Sequence, residues 1–199
     1  MVVNYFGNGC FRLQSGDTSI LVDPENNRLK ADVVLRTLTS TEAEKGVGGV
    51  AGSADTSDAA VVITSAGEYE TKGIEIVGFS IAGESTEKFL KTTYVVTWEE
   101  MKFVFLGHLS APIDAALVEE FAEPDVLFLP VGGGHFLEPN VAAKIAKQLE
   151  AKIIIPSFYK NSDEFLKALG KKAEPAEKFV FKKKDIAGDK DKPVVLNAG

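Results

Sequence analysis

Through the first half of the chain, apolar residues come in short runs rich in Val, Ile, Phe and Leu, broken by turn chemistry. Val2–Phe6, Cys10–Gln14 and Ser19–Asp23 read as strands, separated by Gly7-Asn8-Gly9 and Ser15-Gly16-Asp17. The second and third predict a hairpin across Gly16-Asp17. Asp23-Pro24 ends the third, because proline cannot continue a central ladder. Further strands are predicted at Val33–Leu35, Ala59–Thr64, Gly73–Ser80, Thr92–Thr97 and Lys102–Leu106, the last two joined across Trp98-Glu99-Glu100. Ser65–Glu70 reads as a turn, Gly83–Lys88 as a charged loop, and glycine-rich Gly46–Ser57 as a flexible loop. Strand after strand through short turns predicts antiparallel sheet.

After Gly107 the period changes. Ile113–Ala122 carries apolar residues at 113, 116, 117 and 121, a helical spacing. Asp125–Pro130 is a strand, and Glu138-Pro139 opens a helix whose apolar face is Val141, Ile145, Ala146 and Leu149. Lys152–Ile155 is a strand closed by Pro156. Asp163–Leu169 is a helix with Ser162 as N-cap and Gly170 as C-cap. Lys178–Phe181 and Pro193–Leu196 read as a closing hairpin. A β-rich half followed by alternating β and α predicts an α/β (α+β) fold. Two sheets pack together with helices outside, in one domain over residues 1–199.

Composition narrows the partners. The net charge of -7 gives no support for nucleic-acid binding, which needs a basic surface. Lys171–Lys172 and Lys182–Lys184 are interleaved with acids and read as a solvated face. Cys10 is the single cysteine, so no intrachain disulfide forms, and it reads as a small buried hydrophobe in a reducing compartment. The first ten residues lack a signal-peptide pattern, and no apolar run is long enough to span a membrane. The expectation is a cytoplasmic protein with no membrane partner.

Candidate chemistry gathers after strand ends, where open α/β folds place it. Ala31–Glu42 reads as a short strand feeding a polar loop with Thr37, Thr39, Ser40, Thr41 and Glu42. The two histidines, His108 in FLGHLS and His135 in PVGGGHF, also follow strands; each also fits a polar loop or cap role. Nothing has the spacing of HxH, HxxxH or CxxC that a zinc site needs. There is no G-x-S-x-G elbow and no phosphate-cradling glycine motif.

Six segments, in order and spacing, resemble the metallo-β-lactamase superfamily. YFGNGCFRLQSGDTSILVDP at 5–24 is similar to its opening hairpin, and ADVVL at 31–35 to the strand before its metal loop. AGEYETKGIEIVGF at 66–79, FLGHLSAPI at 105–113, DVLFLPVGGG at 125–134 and IIIPSFYK at 153–160 resemble later segments. The best match is the small bacterial zinc-dependent hydrolases akin to the ascorbate-6-phosphate lactonase branch. The resemblance implies a four-layer αββα sandwich of two facing mixed sheets, with a zinc site in loops at one edge.

The same resemblance locates what is missing. The H-x-H-x-D-H positions of the family fall on Thr37, Thr39, Thr41 and Glu42. The bridging aspartate falls on His108, the last histidine on Phe158, beside Tyr159, and the hairpin histidine on Asn8. A histidine expected near Ser80–Gly83 is missing. Two donors are too few for zinc, so the expected cofactor is none. The leading expectation is a metal-free, degenerate member, a pseudoenzyme that binds a small molecule or protein. The alternative is a hydrolase rebuilt on His108 as general base, with Glu42 or Glu68 orienting it and Thr37 or Thr39 binding substrate. Asn8, Asp23, Thr41, His135, Phe158 and Tyr159 complete the expected binding residues. A homo-oligomer through an exposed sheet edge is left open.

Overall fold

The computed structural model describes residues 1–26, 28–41 and 60–199. The expectations for Glu42 and for the loop Gly46–Ser57 lie outside the described residues.

The first sheet is built from β1 (Val2–Tyr5), β2 (Phe11–Ser15), β3 (Thr18–Val22) and β4 (Val33–Leu35). The second takes β5 (Leu38–Ser40), leaving β6 (Val61–Ile63) as an edge of the first. Then come β7 (Gly67–Thr71), β8 (Ile74–Ser80), β9 (Phe89–Trp98) and β10 (Met101–Phe105). Helix α1 (Ala115–Phe121) leads to β11 (Val126–Pro130), α2 (Pro139–Gln148) to β12 (Ile153–Ser157), and α3 (Asp163–Leu169) follows. The chain closes through β13 (Phe179–Val180), α4 (Lys183–Ile186) and β14 (Lys192–Pro193). The first sheet runs β13-β1-β2-β3-β4-β6 and the second β14-β12-β11-β10-β9-β8-β7, with β5 added along β9.

Alternation along the strands explains the layers. Phe103, Phe105, Val126, Phe128, Ile153 and Ile155 face the first sheet and share a core with Val3, Leu13, Ile20 and Val22. Their neighbours Val104, Leu127, Leu129 and Ile154 point the other way, into a second core with Phe121, Ile145 and Phe165 of the helices. Strands buried on both faces read as continuous apolar runs, which is why 125–130 and 152–155 were recognisable. The result is a sandwich of two mixed sheets with helices outside, as the sequence implied. No described helix is long and apolar enough to cross a membrane.

Several local expectations change. The first half is not all antiparallel: β3 pairs β4, and β4 pairs β6, in parallel. Ser65–Glu70 is not simply a turn, because Gly67–Thr71 pairs with β8 as an edge strand. Its alternation is hidden, since only Tyr69 packs on the core while Glu68 and Glu70 face water. The closing hairpin does not form: β13 joins β1 in the first sheet and β14 joins β12 in the second. Two-residue strands carry too little pattern to reveal their partners. The hairpin at Glu99-Glu100 does form, with both residues at positive φ (51° and 59°), as a type I′ turn requires.

Candidate functional site

The site lies where β4 ends and the chain leaves one sheet for the other. Leu35 ends β4 in the first sheet, and Leu38 begins β5, whose residues pair Leu38 with Lys91 and Ser40 with Phe89 on β9. The expected polar loop is therefore partly a strand in the second sheet. The crossing turns on Thr37, which is fully buried. Its backbone N–H donates to Asp23 Oδ1 at 2.7 Å and its hydroxyl reaches Asp23 Oδ2 at 2.5 Å. Its carbonyl accepts from the Thr92 N–H at 2.9 Å. Gly107, at φ +54°, leaves the space, since a Cβ there would stand 2.3 Å from the Thr37 side chain.

His108 completes the cluster. Its Nδ1 lies 2.8 Å from Thr37 Oγ1 and 3.8 Å from Asp23 Oδ2. Burial pulls its pKa down to about 4, with Lys91 acting in the same direction, so the imidazole is neutral and its contact with Asp23 is no ion pair. Burial pushes the Asp23 carboxyl up to about 6, against the two bonds from Thr37 and the nearby Arg36 charge. The loop carrying His108 is anchored by Glu84, whose carboxylate accepts from Ser110 N–H and hydroxyl, Ala111 N–H and Lys91. Burial pushes that carboxyl up, but these donors outweigh it and hold it below the usual range.

Phe158 fills the adjacent space. Its ring stacks on Phe136 at 4.2 Å and tilts against His108 at 4.8 Å. Gly9 forms the seat: a Cβ there would fall 2.1 Å from the Phe158 ring. Gly132 admits the Phe158 carbonyl, which a Cβ would meet at 1.8 Å. The backbone at Phe158 is left-handed, φ +54°, a conformation that bulky side chains rarely adopt.

A cleft of about 1060 Å³ opens over this cluster. Asn8, Asp23, His108, Phe158 and Tyr159, all expected from sequence, line it, and Thr37 lies behind His108. The other candidates are elsewhere or occupied. Thr39 donates to the Thr64 carbonyl and Thr41 to the Glu87 carbonyl. Glu68 is in register with Val77, Val95 and Val104, three strands from β10, about 14 Å by ordinary strand spacing. It cannot orient His108. His135 is exposed on the Gly132–Phe136 turn, and its neighbour Phe136 enters the cleft instead. Sequence reasoning missed Phe136, Glu25, Arg36, Lys160 and Asp163 as cleft residues. Only Phe136 had a signal, its place beside a flagged histidine in a glycine turn.

A zinc ion takes three or four ligands from His, Cys, Asp and Glu. Among the described residues no group of three or more such side chains converges. Asp23 and His108 do meet, but each directs its facing atom to Thr37. The described residues do not fit zinc.

Fold and cleft together define an αββα sandwich with a site at one sheet edge. The sequence profile of the Beta-lactamase superfamily domain matches residues 2–157, and the chain belongs to that family. A metal-dependent hydrolase of Listeria monocytogenes is 27% identical over 194 residues, covering 80% of this chain and 85% of the relative. A counterpart from Geobacillus thermodenitrificans is 26% identical over 198 residues, with the same shares covered. Among solved structures, a protein described as a Zn-dependent hydrolase of the metallo-β-lactamase superfamily, from Thermotoga maritima, superposes with a TM-score of 0.76. It is 28% identical, with 98% of this chain and 97% of that one covered.

Proposed function

We propose that this chain is a metal-free, catalytically degenerate member of the superfamily that works by binding a ligand in the edge cleft. One observation carries the reading. At the position where the resemblance puts a histidine ligand, the Phe158 ring is seated on Gly9, stacked on Phe136 and tilted against His108. An apolar ring held in a strained backbone conformation is a built feature, because left-handed Phe persists only where surrounding contacts determine it. Without a metal, a bound water keeps a pKa near that of bulk, and the family's hydroxide chemistry has no source. The lone buried Cys10 and the net charge of -7 suit a cytoplasmic protein that does not bind nucleic acid.

The test is metal analysis of full-length protein purified without chelator. Less than about 0.1 equivalent of zinc is expected, and about one or two tightly held equivalents would overturn the reading. A second reading keeps His108 as a general base, since it lines the cleft. A pKa near 4 makes it a weak base at neutral pH. Lactones, phosphodiesters and thioesters are to be screened with wild type and His108→Ala. Turnover abolished by the substitution would establish that reading in place of the first.

A further inference from the structure

His108 presents a defined chemical edge to the cleft. Thr37 Oγ1 carries one proton and stands between Asp23 Oδ2 at 2.5 Å and His108 Nδ1 at 2.8 Å. Near neutral pH Asp23 is ionised, its carboxyl being raised only to about 6, and a carboxylate only accepts. The Thr37 proton therefore goes to Asp23, and Thr37 Oγ1 accepts from His108 Nδ1–H. The imidazole is neutral, so a proton on Nδ1 leaves Nε2 with a bare lone pair. Nε2 has no partner among the described residues and is not a buried atom lacking one.

The surrounding wall favours positive charge. Phe136 and Phe158 form a stacked pair, and aromatic faces attract cations. Glu25 and Asp163 line the same cleft, each with one oxygen committed, to Asn8 and Asn161. Among the described residues the other oxygen of each carboxylate has no hydrogen-bond partner. Two cations in the lining oppose them, and a third, Lys91, acts on His108. Arg36 directs its guanidinium to the Pro24 carbonyl, and Lys160 is exposed at the rim. The chain's charge of -7 adds a field hostile to anions.

We propose that the cleft binds a planar organic cation bearing N–H donors, of amidinium, guanidinium or aminoheterocycle type. It donates to His108 Nε2, packs against the Phe136–Phe158 pair, and turns its charge toward Glu25 and Asp163. The inference rests on the metal-free reading, because a metal at this edge would compete for the Nε2 lone pair.

Three isosteric probes test it on the full chain: benzamidinium, benzamide and benzoate. Histidine-ring nitrogen spectra of ¹⁵N-labelled protein, at about pH 7.5, should show Nδ1 protonated and Nε2 bare. Benzamidinium should shift His108 Nε2 and bind more tightly than benzamide, with benzoate weakest. Glu25→Gln should weaken benzamidinium about two- to five-fold, and Lys160→Gln should strengthen it by a similar factor. A protonated Nε2, benzoate binding as tightly as benzamidinium, or no binding by benzamidinium would each overturn the proposal. Metal analysis of the same sample separates the two failures. Any of these results without zinc sinks this inference alone, whereas stoichiometric zinc sinks the metal-free reading beneath it.

Discussion

Asp23 and His108 push the stability of the fold in opposite directions as pH changes, and removing either partner exposes the other. His108 has a folded pKa of about 4 against an ordinary 6.5. Between those values the unfolded chain binds a proton that the folded chain does not, so stability rises with pH. The span of about 2.5 units is worth about 3 kcal/mol at 1.36 kcal/mol per unit. Asp23 is raised from 3.8 to about 6. There the folded chain holds the extra proton, so stability falls as pH rises from about 4 to 6, again by about 3 kcal/mol. The two contributions nearly cancel in wild type.

The discriminating variant is His108→Asn, whose side-chain amide can still donate to Thr37 from near the Nδ1 position. It removes the rising contribution and leaves the falling one. Urea unfolding can be followed by the single tryptophan, Trp98, which is buried at the end of β9. The stability of wild type minus that of the variant should grow by about 3 kcal/mol from pH 4 to 6.5 and then level off. Asp32 and Glu84, held low by their own partners, are common to both proteins and drop out of the difference. A difference that stays flat across this range would refute a desolvated, neutral His108. Asp23→Asn should give the mirror image, with the difference shrinking as pH rises from 4 to 6.

Other outcomes follow from the same contacts. Phe158→Ala should cost about 2–3 kcal/mol by emptying the ring's seat, measured by denaturant unfolding. Phe158→Gly should cost about 0.5–1 kcal/mol less than the alanine variant, because glycine accepts φ +54° without strain; an alanine variant more stable than the glycine one would contradict this. Gly9→Ala should destabilise by at least about 2 kcal/mol, since its Cβ meets the Phe158 ring at 2.1 Å and the backbone stands at φ +77°. At the β9–β10 turn, Glu99→Asn with Glu100→Gly should raise stability by about 1 kcal/mol by matching a type I′ turn, less the exposed Lys183–Glu100 pair and the exposed Ser15–Glu99 hydrogen bond.

The sandwich was legible because β10, β11 and β12 carry apolar residues on both faces, and the switch to helical spacing after Gly107 marked the change in layering. β5 was not, because its order comes from β9, about fifty residues away in the chain. At the site, sequence told which side chains stand where the resemblance expects donors and could not tell what they do there. Four of them are engaged: Thr37 bridges Asp23 and His108, Thr39 and Thr41 hold backbone carbonyls, and Phe158 is seated on Gly9. This decides what restoring one ligand would do. Phe158→His puts an imidazole where the resemblance expects one, giving three donors with Asp23 and His108. Asp23 still accepts two bonds from Thr37, and the crossing is still tied to β9 by the Thr92 N–H. Freeing Asp23 would leave the buried Thr37 N–H without a partner, a loss of about 1–3 kcal/mol. The single variant should therefore bind no stoichiometric zinc by calorimetry or metal analysis. One tightly held equivalent in Phe158→His would mean that the threonine contacts yield readily to a metal, and that one aromatic ring was all that opposed it.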